Sequence, residues 1–268
     1  MKIQGSVAIV TGAARGLGKG IAEELLKRGA KVCIADINKG EGEAAAGTLA
    51  TTFGQQNVFF QECDVTKDEH IRGAFCAAKT NFGAEVNILV NNCGIVQEDN
   101  VSLTLAVNAE APIRSTFTAI ELMGRHNGGA GGVVITTSSF QGLIPFGFMP
   151  VYSASKHAIV GFVRSIVESP DFSDWGMRFN CICPGGIDTP MLKDEYLEGR
   201  LSDKSFAIVR KLLTTISLLR PSEVALGCIK LIEDDTLNGK ALLINHGETG
   251  EGEVAYTVID PPTDKVRL

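Results

Sequence analysis

The chain has 268 residues, 44% of them apolar, and a formal charge of -6. That apolar content supports a substantial core. The scattered Lys and Arg of a net acidic chain exclude nucleic acid as a partner, because phosphate neutralisation needs basic residues gathered together. No apolar run approaches the roughly 20 residues of a membrane-spanning helix, so no membrane span is expected.

From Met1 the chain passes through Lys2, Ile3, Gln4 and Gly5 straight into a strand-like run, which leaves no room for a secretory leader. The chain is expected to start here and to be cytoplasmic. Short β-branched runs then alternate with stretches of helical period. Strands are expected at Ser6 to Thr11, Lys31 to Asp36, Asn57 to Asp64, Val86 to Asn91, Gly132 to Ser138, Met177 to Cys183 and Ala241 to Ile244. Between them, Leu17 to Arg28, Gly40 to Thr52, Asp68 to Asn81, Ser102 to Arg125, Tyr152 to Glu168 and Ser222 to Glu233 carry apolar residues at three- and four-residue spacing, as helices do.

This alternation predicts repeated βαβ units, hence a doubly wound α/β fold with a parallel seven-stranded sheet and helices on both faces. No Pro-, Gly- or Ser-rich linker divides it, and the short run Gly128 to Gly132 reads as a turn. A single domain over residues 1–247 is expected. The hydrophilic tail 248–268, with Pro261-Pro262, either disorders or lies across a neighbouring subunit. The segment Pro190 to Leu219 is longer than its connection needs and reads either as a covering helix pair or as a surface insertion.

Seven cysteines, at 33, 63, 76, 93, 181, 183 and 228, make an odd set sitting mostly in apolar runs, and read as reduced. Cys181 and Cys183 share one strand face, but without nearby His or further Cys they suit a core better than a metal, and no metal is expected.

Thr11-Gly12-Ala13-Ala14-Arg15-Gly16-Leu17-Gly18 joins the first strand to the first helix, where small residues let backbone and helix N-terminus approach a pyrophosphate. Asp36 ends the second strand, where a carboxylate can accept hydrogen bonds from ribose hydroxyls. Its charge would repel a 2′-phosphate, and neither Ile37 nor Asn38 is basic, so NAD is the expected cofactor. Arg15 can either reach a phosphate or remain a solvated charge. Asp64, and Asn91-Asn92-Cys93-Gly94, fall at strand carboxyl ends, where the ligand crevice of such a sheet lies.

Tyr152 and Lys156 stand four apart at the start of a helix, so both project from one face. A phenol is a poor base at neutral pH, but a neighbouring ammonium stabilises its phenolate. Ser139 closes the fifth strand, towards the same crevice. Asn108, polar amid Leu105, Ala106, Val107, Ala109 and Ala111, must be satisfied internally or serve a water path. Between Ser139 and Tyr152 lie Phe140, Leu143, Ile144, Pro145, Phe146, Phe148 and Met149, an apolar loop that suits a lipophilic alcohol or ketone, or else packs under itself or against a subunit.

Taken together, the turn Thr11 to Gly18, Asp64, Asn91 to Gly94, Asn108, Ser139, Tyr152 with Lys156, and Pro184-Gly185-Gly186-Ile187-Asp188-Thr189 resemble the classical short-chain dehydrogenase/reductase family from Ser6 to about Gly247. The resemblance implies a Rossmann-like domain in which Tyr152 is the base, Lys156 lowers its pKa and holds the nicotinamide ribose, Ser139 orients substrate and Asn108 anchors a relay water. It implies cofactor contacts from Gly12, Arg15, Gly16, Leu17, Gly18, Asp36, Ile37, Asp64, Val65, Asn91, Cys93, Gly94, Tyr152, Lys156, Pro184, Gly185, Ile187 and Thr189. Substrate contacts fall to Ser139, Gln141, Met149 and Tyr152, and a homo-oligomer, dimer or tetramer, is implied.

Within the family the chain is most similar to the 15-hydroxyprostaglandin dehydrogenases, through Asn127-Gly128-Gly129, the run Val151 to His157, and Gly161-Phe162-Val163-Arg164-Ser165. It departs from them at Met149, where they carry a substrate-binding Gln, and from the family at Cys93, where Ala is usual. The expected activity is NAD-dependent interconversion of a lipophilic secondary alcohol and its ketone. The alternatives are another hydroxy or keto substrate (steroid, hydroxy fatty acid or secondary metabolite) and an NAD-binding regulator that has lost turnover.

Overall fold

The computed structural model describes residues 1–247 and 253–260. Its sheet grows from the alternation of side chains along buried strands. In β1 (Val7–Thr11), Ala8 and Val10 face one apolar cluster while Val7 and Ile9 face the other. Strands buried on both faces in this way are apolar throughout, which is why the sequence marks them as continuous runs.

The chain winds from β1 through α1 (Gly16–Lys27), β2 (Lys31–Asp36), α2 (Lys39–Phe53), β3 (Val58–Glu62) and α3 (Asp68–Phe82) to β4 (Ile88–Asn91). It continues through α4 (Val101–Leu105), α5 (Ala111–Met123), β5 (Gly132–Thr137), α6 (Pro150–Ile166), α7 (Phe172–Trp175) and β6 (Met177–Pro184). Then come α8 (Asp194–Leu197), α9 (Asp203–Leu213), α10 (Pro221–Glu233), β7 (Ala241–His246) and β8 (Val254–Ile259). The strand order is β3-β2-β1-β4-β5-β6-β7-β8. The order reverses between β1 and β4, so the loops leaving those two strands part to opposite faces and leave a crevice at their carboxyl ends.

Helices α1, α2 and α10 cover one face; α3, α5 and α6 cover the other. The first seven strands are parallel, as the alternation predicts, but the sheet has an eighth. Residues 254–259, expected to be tail, pair antiparallel with β7 from Ala241↔Ile259 to His246↔Val254. Tyr256 anchors this strand by donating from its hydroxyl to the Glu223 carbonyl, at 2.8 Å. Pro261-Pro262 lies outside the described residues.

Two further departures concern helices. The single helix expected over Ser102 to Arg125 is interrupted by a π-helical turn at Ala106–Glu110, which centres on Asn108. The segment Pro190 to Leu219 contains α8 and α9; Leu197 of α8, Val209 of α9 and Leu201 between them bury against Val96 and Met149. Cys33, Cys63, Cys181, Cys183 and Cys228 are buried free thiols, with Cys181 and Cys183 of β6 packed against Ile159, Val160 and Val163 of α6. Among the described residues no helix is long and apolar enough to cross a membrane.

Candidate active site

Small residues bring three loops together at the crevice. Gly12 (φ +63°) and Gly16 (φ +55°) occupy the left-handed region. A Cβ on Gly12 would stand 2.8 Å from Cys93 Cα, one on Gly16 3.3 Å from Thr189 Cγ2, and one on Gly18 2.8 Å from Ala13 Cα while overlapping the Gly12 carbonyl oxygen. The turn after β1 therefore touches the loop after β4 and the loop after β6. Its helix, α1, has no acidic residue in its first turn, so the positive end of the helix is uncompensated.

Asp36 stands beside this turn, its two carboxylate oxygens accepting from Ala14 N and Asn38 N, each at 3.0 Å. Ile37 is 64% exposed next to it. Arg15 does not reach into the cradle; it pairs with Glu41 at 3.3 Å. A glycine cradle that a Cβ would fill, an anion-favouring helix end and a carboxylate at the end of β2 beside it fit a dinucleotide.

Further along, Asp64 accepts from the amide and hydroxyl of Thr66, and its own N–H donates to His70 Nδ1. Burial opposes ionisation of Asp64, but the Thr66 bonds and Lys67 outweigh it and hold the carboxyl below its usual range. Val65 is half-buried beside it.

The side chains of two expected cofactor residues, Asn91 and Leu17, point into the protein. The Asn91 side chain is turned into the protein, where it accepts from Ser115 Oγ (2.7 Å) and donates to the Pro112 carbonyl (3.2 Å), tying β4 to α5. Leu17 packs in the core with Ile21. The residue that joins the loops is Asn92, whose Nδ2 donates to the Thr11 and Gly12 carbonyls at 3.0 and 3.1 Å, while Thr11 Oγ1 accepts from Asn92 N and Cys93 N. Asn92 lies inside the Asn91-to-Gly94 motif, but nothing local in the sequence marks it as the tie.

On the opposite wall, α6 starts at Pro150 and places Tyr152 in its first turn, with Lys156 one turn on. The Lys156 Nζ lies 5.5 Å from the Tyr152 ring centroid and donates to the Thr137 carbonyl at 2.9 Å. Lys156 is 2% exposed. Burial pushes its ammonium down to about 8, against the upward pull of the Cys93, Cys183 and Cys181 thiols. Burial likewise pushes the Tyr152 phenol up to about 12; the Ser139 hydroxyl, hydrogen-bonded to it, pulls the value down, and Tyr196 adds to the rise.

Ser139 Oγ also accepts from Gln141 N at 3.2 Å. Gln141 is itself buried, with Oε1 accepting from Ser153 Oγ at 3.0 Å, so it fastens the turn after β5 to α6. Asn108 is satisfied internally. Its Oδ1 accepts from Ile95 N, and its Nδ2 donates to the Ile95 carbonyl and to Ser155 Oγ. Gly94 lies where a Cβ would stand 3.4 Å from both Asn108 Oδ1 and Lys156 Nζ.

The loop after β6 is held by Gly185 N donating to the Ile244 carbonyl and by an Ile187↔Leu219 bridge, which aims Thr189 at the glycine turn. Pro184 ends β6 beneath it. Met149 is 5% exposed and packs in an apolar cluster with Val96, Phe146, Phe148, Tyr152, Met191, Leu197 and Leu201.

Two residues of this site had no signal in the sequence. Tyr196, in α8, brings its hydroxyl to Val96 N at 3.4 Å, with the Arg200 guanidinium stacked on its ring at 4.3 Å. Glu98 accepts from Val151 N and Tyr152 N at 2.9 and 2.8 Å. The only hint was negative: Met149-Pro150 offers no Ser, Thr, Asp or Asn to cap the helix.

A phenol, a buried ammonium and a hydroxyl converge beside a dinucleotide-shaped cradle, which is equipment for moving a proton to or from an alcohol oxygen. The family described as short chain dehydrogenase matches residues 6–198. The chain is 41% identical over 246 residues to the 15-hydroxyprostaglandin dehydrogenase [NAD(+)] of Bos taurus, covering 91% of this chain and 92% of that one. To the human protein of that name it is 39% identical over 248 residues, covering 91% and 92%. A short-chain dehydrogenase/reductase of Burkholderia phymatum solved with NAD superposes with a TM-score of 0.78 at 22% identity, over 91% of this chain and 90% of that one. The chain belongs to the short-chain dehydrogenase family, oxidoreductases that act on CH–OH groups with a nicotinamide dinucleotide.

Proposed function

We propose that this protein is an NAD-dependent dehydrogenase that interconverts a lipophilic secondary alcohol and its ketone. The observation that carries the reading is the convergence of Tyr152, Lys156 and Ser139, with Tyr152 packed against an apolar cluster of Met149, Phe146, Phe148, Leu197 and Leu201. A bound nicotinamide dinucleotide supplies the hydride acceptor. Asp36 supports NAD over NADP, because a 2′-phosphate would meet its carboxylate while Arg15 is engaged by Glu41.

In alcohol oxidation the Tyr152 phenol takes the hydroxyl proton while Ser139 holds the alcohol oxygen. Burial holds the phenol up at about 12 rather than below its ordinary value; to act as the base it must ionise with the Lys156 ammonium beside the ring, since a nearby cation favours the ionised form at low dielectric. Asn108 holds Ile95, and with it Gly94, against Lys156, so its amide keeps the wall in place rather than meeting solvent. With Met149 in that cluster, the substrate body is apolar next to the reacting carbon. This favours a fatty-acid-derived or alicyclic alcohol, a class to which prostaglandins belong.

Buried reduced thiols suit a cytoplasmic location. The exposed Phe117, edge-on to Phe162 across α5 and α6, suits a homo-oligomer.

The test follows absorbance of the reduced cofactor with NAD or NADP and a panel of secondary alcohols, for wild type and Tyr152→Phe. Turnover with NAD on lipophilic alcohols is expected, with a loss on the order of a thousandfold in the variant. Undiminished activity in Tyr152→Phe, or cofactor binding without turnover of any alcohol, refutes the reading.

A further inference from the structure

The N-terminus of α6 is capped from far away in the chain. Pro150 has no N–H to satisfy, and Ser153 N already donates to the Met149 carbonyl at 2.9 Å. Val151 N and Tyr152 N are left without partners in the helix, and both donate to the carboxylate of Glu98, more than fifty residues earlier. Among the described residues Glu98 makes no ion pair with Lys, Arg or His, so its charge is balanced by these two amides and the helix end.

A local Ser or Asp at position 149 would satisfy the same amides for helix stability alone. The remote carboxylate does something more: it fixes the loop after β4 to the residue that carries the phenol. That loop is tied at four residues to other parts of the site. Cys93 N donates to Thr11 Oγ1 of the glycine turn, Ile95 is gripped by Asn108, Val96 N meets the Tyr196 hydroxyl, and Glu98 N donates to the Arg200 carbonyl of the α8–α9 segment at 2.9 Å.

We propose that Glu98 is a positioning residue for the base: by clamping the backbone of Tyr152 to the loop after β4, it sets the phenol relative to the cofactor cradle and to the α8–α9 segment. The polar groups around that phenol are Ser139, Lys156 and Tyr196, none of which touches Glu98, so its action runs through the backbone clamp.

The experiment compares wild type, Glu98→Gln and Glu98→Asp as full chains. The first loses the charge and can accept only one of the two amides; the second keeps the charge but loses reach. Three readouts are taken: kcat and KM for NAD and a lipophilic secondary alcohol, the ultraviolet titration of the phenols assigned by Tyr152→Phe, and Tm. Expected are a tenfold to about hundredfold fall in kcat, the scale of a misplacement of about 1 Å, with KM for NAD within about twofold. The Tyr152 phenol, less enclosed, should titrate below about 12, towards its ordinary 10.

A variant that is less stable yet retains both kcat and the phenol titration of wild type is a simple helix cap and overturns the proposal. The turnover arm rests on the dehydrogenase reading; the titration arm does not. A wild type that oxidises no alcohol would sink that reading and leave Glu98 to be decided by the phenol. If Glu98→Gln does not fold, Glu98→Asp is read in its place, and wild-type values in it overturn the proposal.

Discussion

Replacing Lys156 with methionine should stabilise the protein while removing its activity. Burial has moved the Lys156 ammonium from its ordinary 10.5 to about 8, and each tenfold in proton affinity is worth about 1.4 kcal/mol. Keeping the charge folded at pH 7 therefore costs on the order of 3 kcal/mol. Methionine has similar length and no charge, but it leaves the Thr137 carbonyl without its donor, a loss of about 1 to 2 kcal/mol. The net gain is about 1 to 2 kcal/mol, or a few degrees in Tm for a chain of this size.

The pH dependence fixes the sign. Between about 8 and 10.5 the unfolded chain keeps a proton on Lys156 that the folded chain has lost, so raising the pH favours folding of wild type but not of the variant. The Tm advantage of Lys156→Met should be full below pH 8, cancel near about pH 9, and reverse by about 10.5, where only the lost bond to Thr137 remains. Scanning fluorimetry of the apo proteins from pH 6 to about 10 measures this. A variant less stable than wild type at pH 7, or a difference that does not change with pH, would show that the buried ammonium is not under strain.

Three other outcomes follow from the geometry. Gly18→Ala forces a Cβ onto the Gly12 carbonyl and against Ala13 Cα; a loss of about 1 to 3 kcal/mol in thermal unfolding, together with loss of NAD binding by calorimetric titration, is expected. Asp36→Asn should keep acceptors for Ala14 N or Asn38 N but lose the charge; the ratio of NADP to NAD dissociation constants should fall about tenfold or more, which corresponds to about 1.4 kcal/mol. The Arg178 guanidinium donates to the Leu231, Ile232, Asp234 and Leu237 carbonyls at the end of α10; Arg178→Met strips that cap and should cost about 3 kcal/mol in denaturant unfolding without altering turnover at 25 °C.

What the sequence made legible is what local physics writes locally. The glycine turn, its strand and its helix lie in one contiguous stretch from Val7 to Lys27, and Tyr152 with Lys156 needs only helical spacing. The π-turn at Asn108 was hidden because one extra residue per turn scarcely disturbs an apolar period over 24 positions. The inward turn of the Asn91 side chain was not legible because strand-end position does not tell which way a side chain points; Ser115 and Thr116 decide that from α5. Val254–Ile259 is β-branched enough to be a strand, but its hydrophilic flanks and its antiparallel direction break the βαβ rhythm used to find the others. Glu98 has no local signature at all, since its partners are more than fifty residues away.

The eighth strand changes where the domain can be cut. A chain stopped after Gly247 would look tidy by sequence, yet it would strip β7 of the neighbour that pairs with it from Ala241 to His246. The exposed row of amides and carbonyls on an apolar strand is a template for the same strand of another molecule. Such a truncation should associate through that border, and its aggregates would owe nothing to any subunit contact of the intact protein.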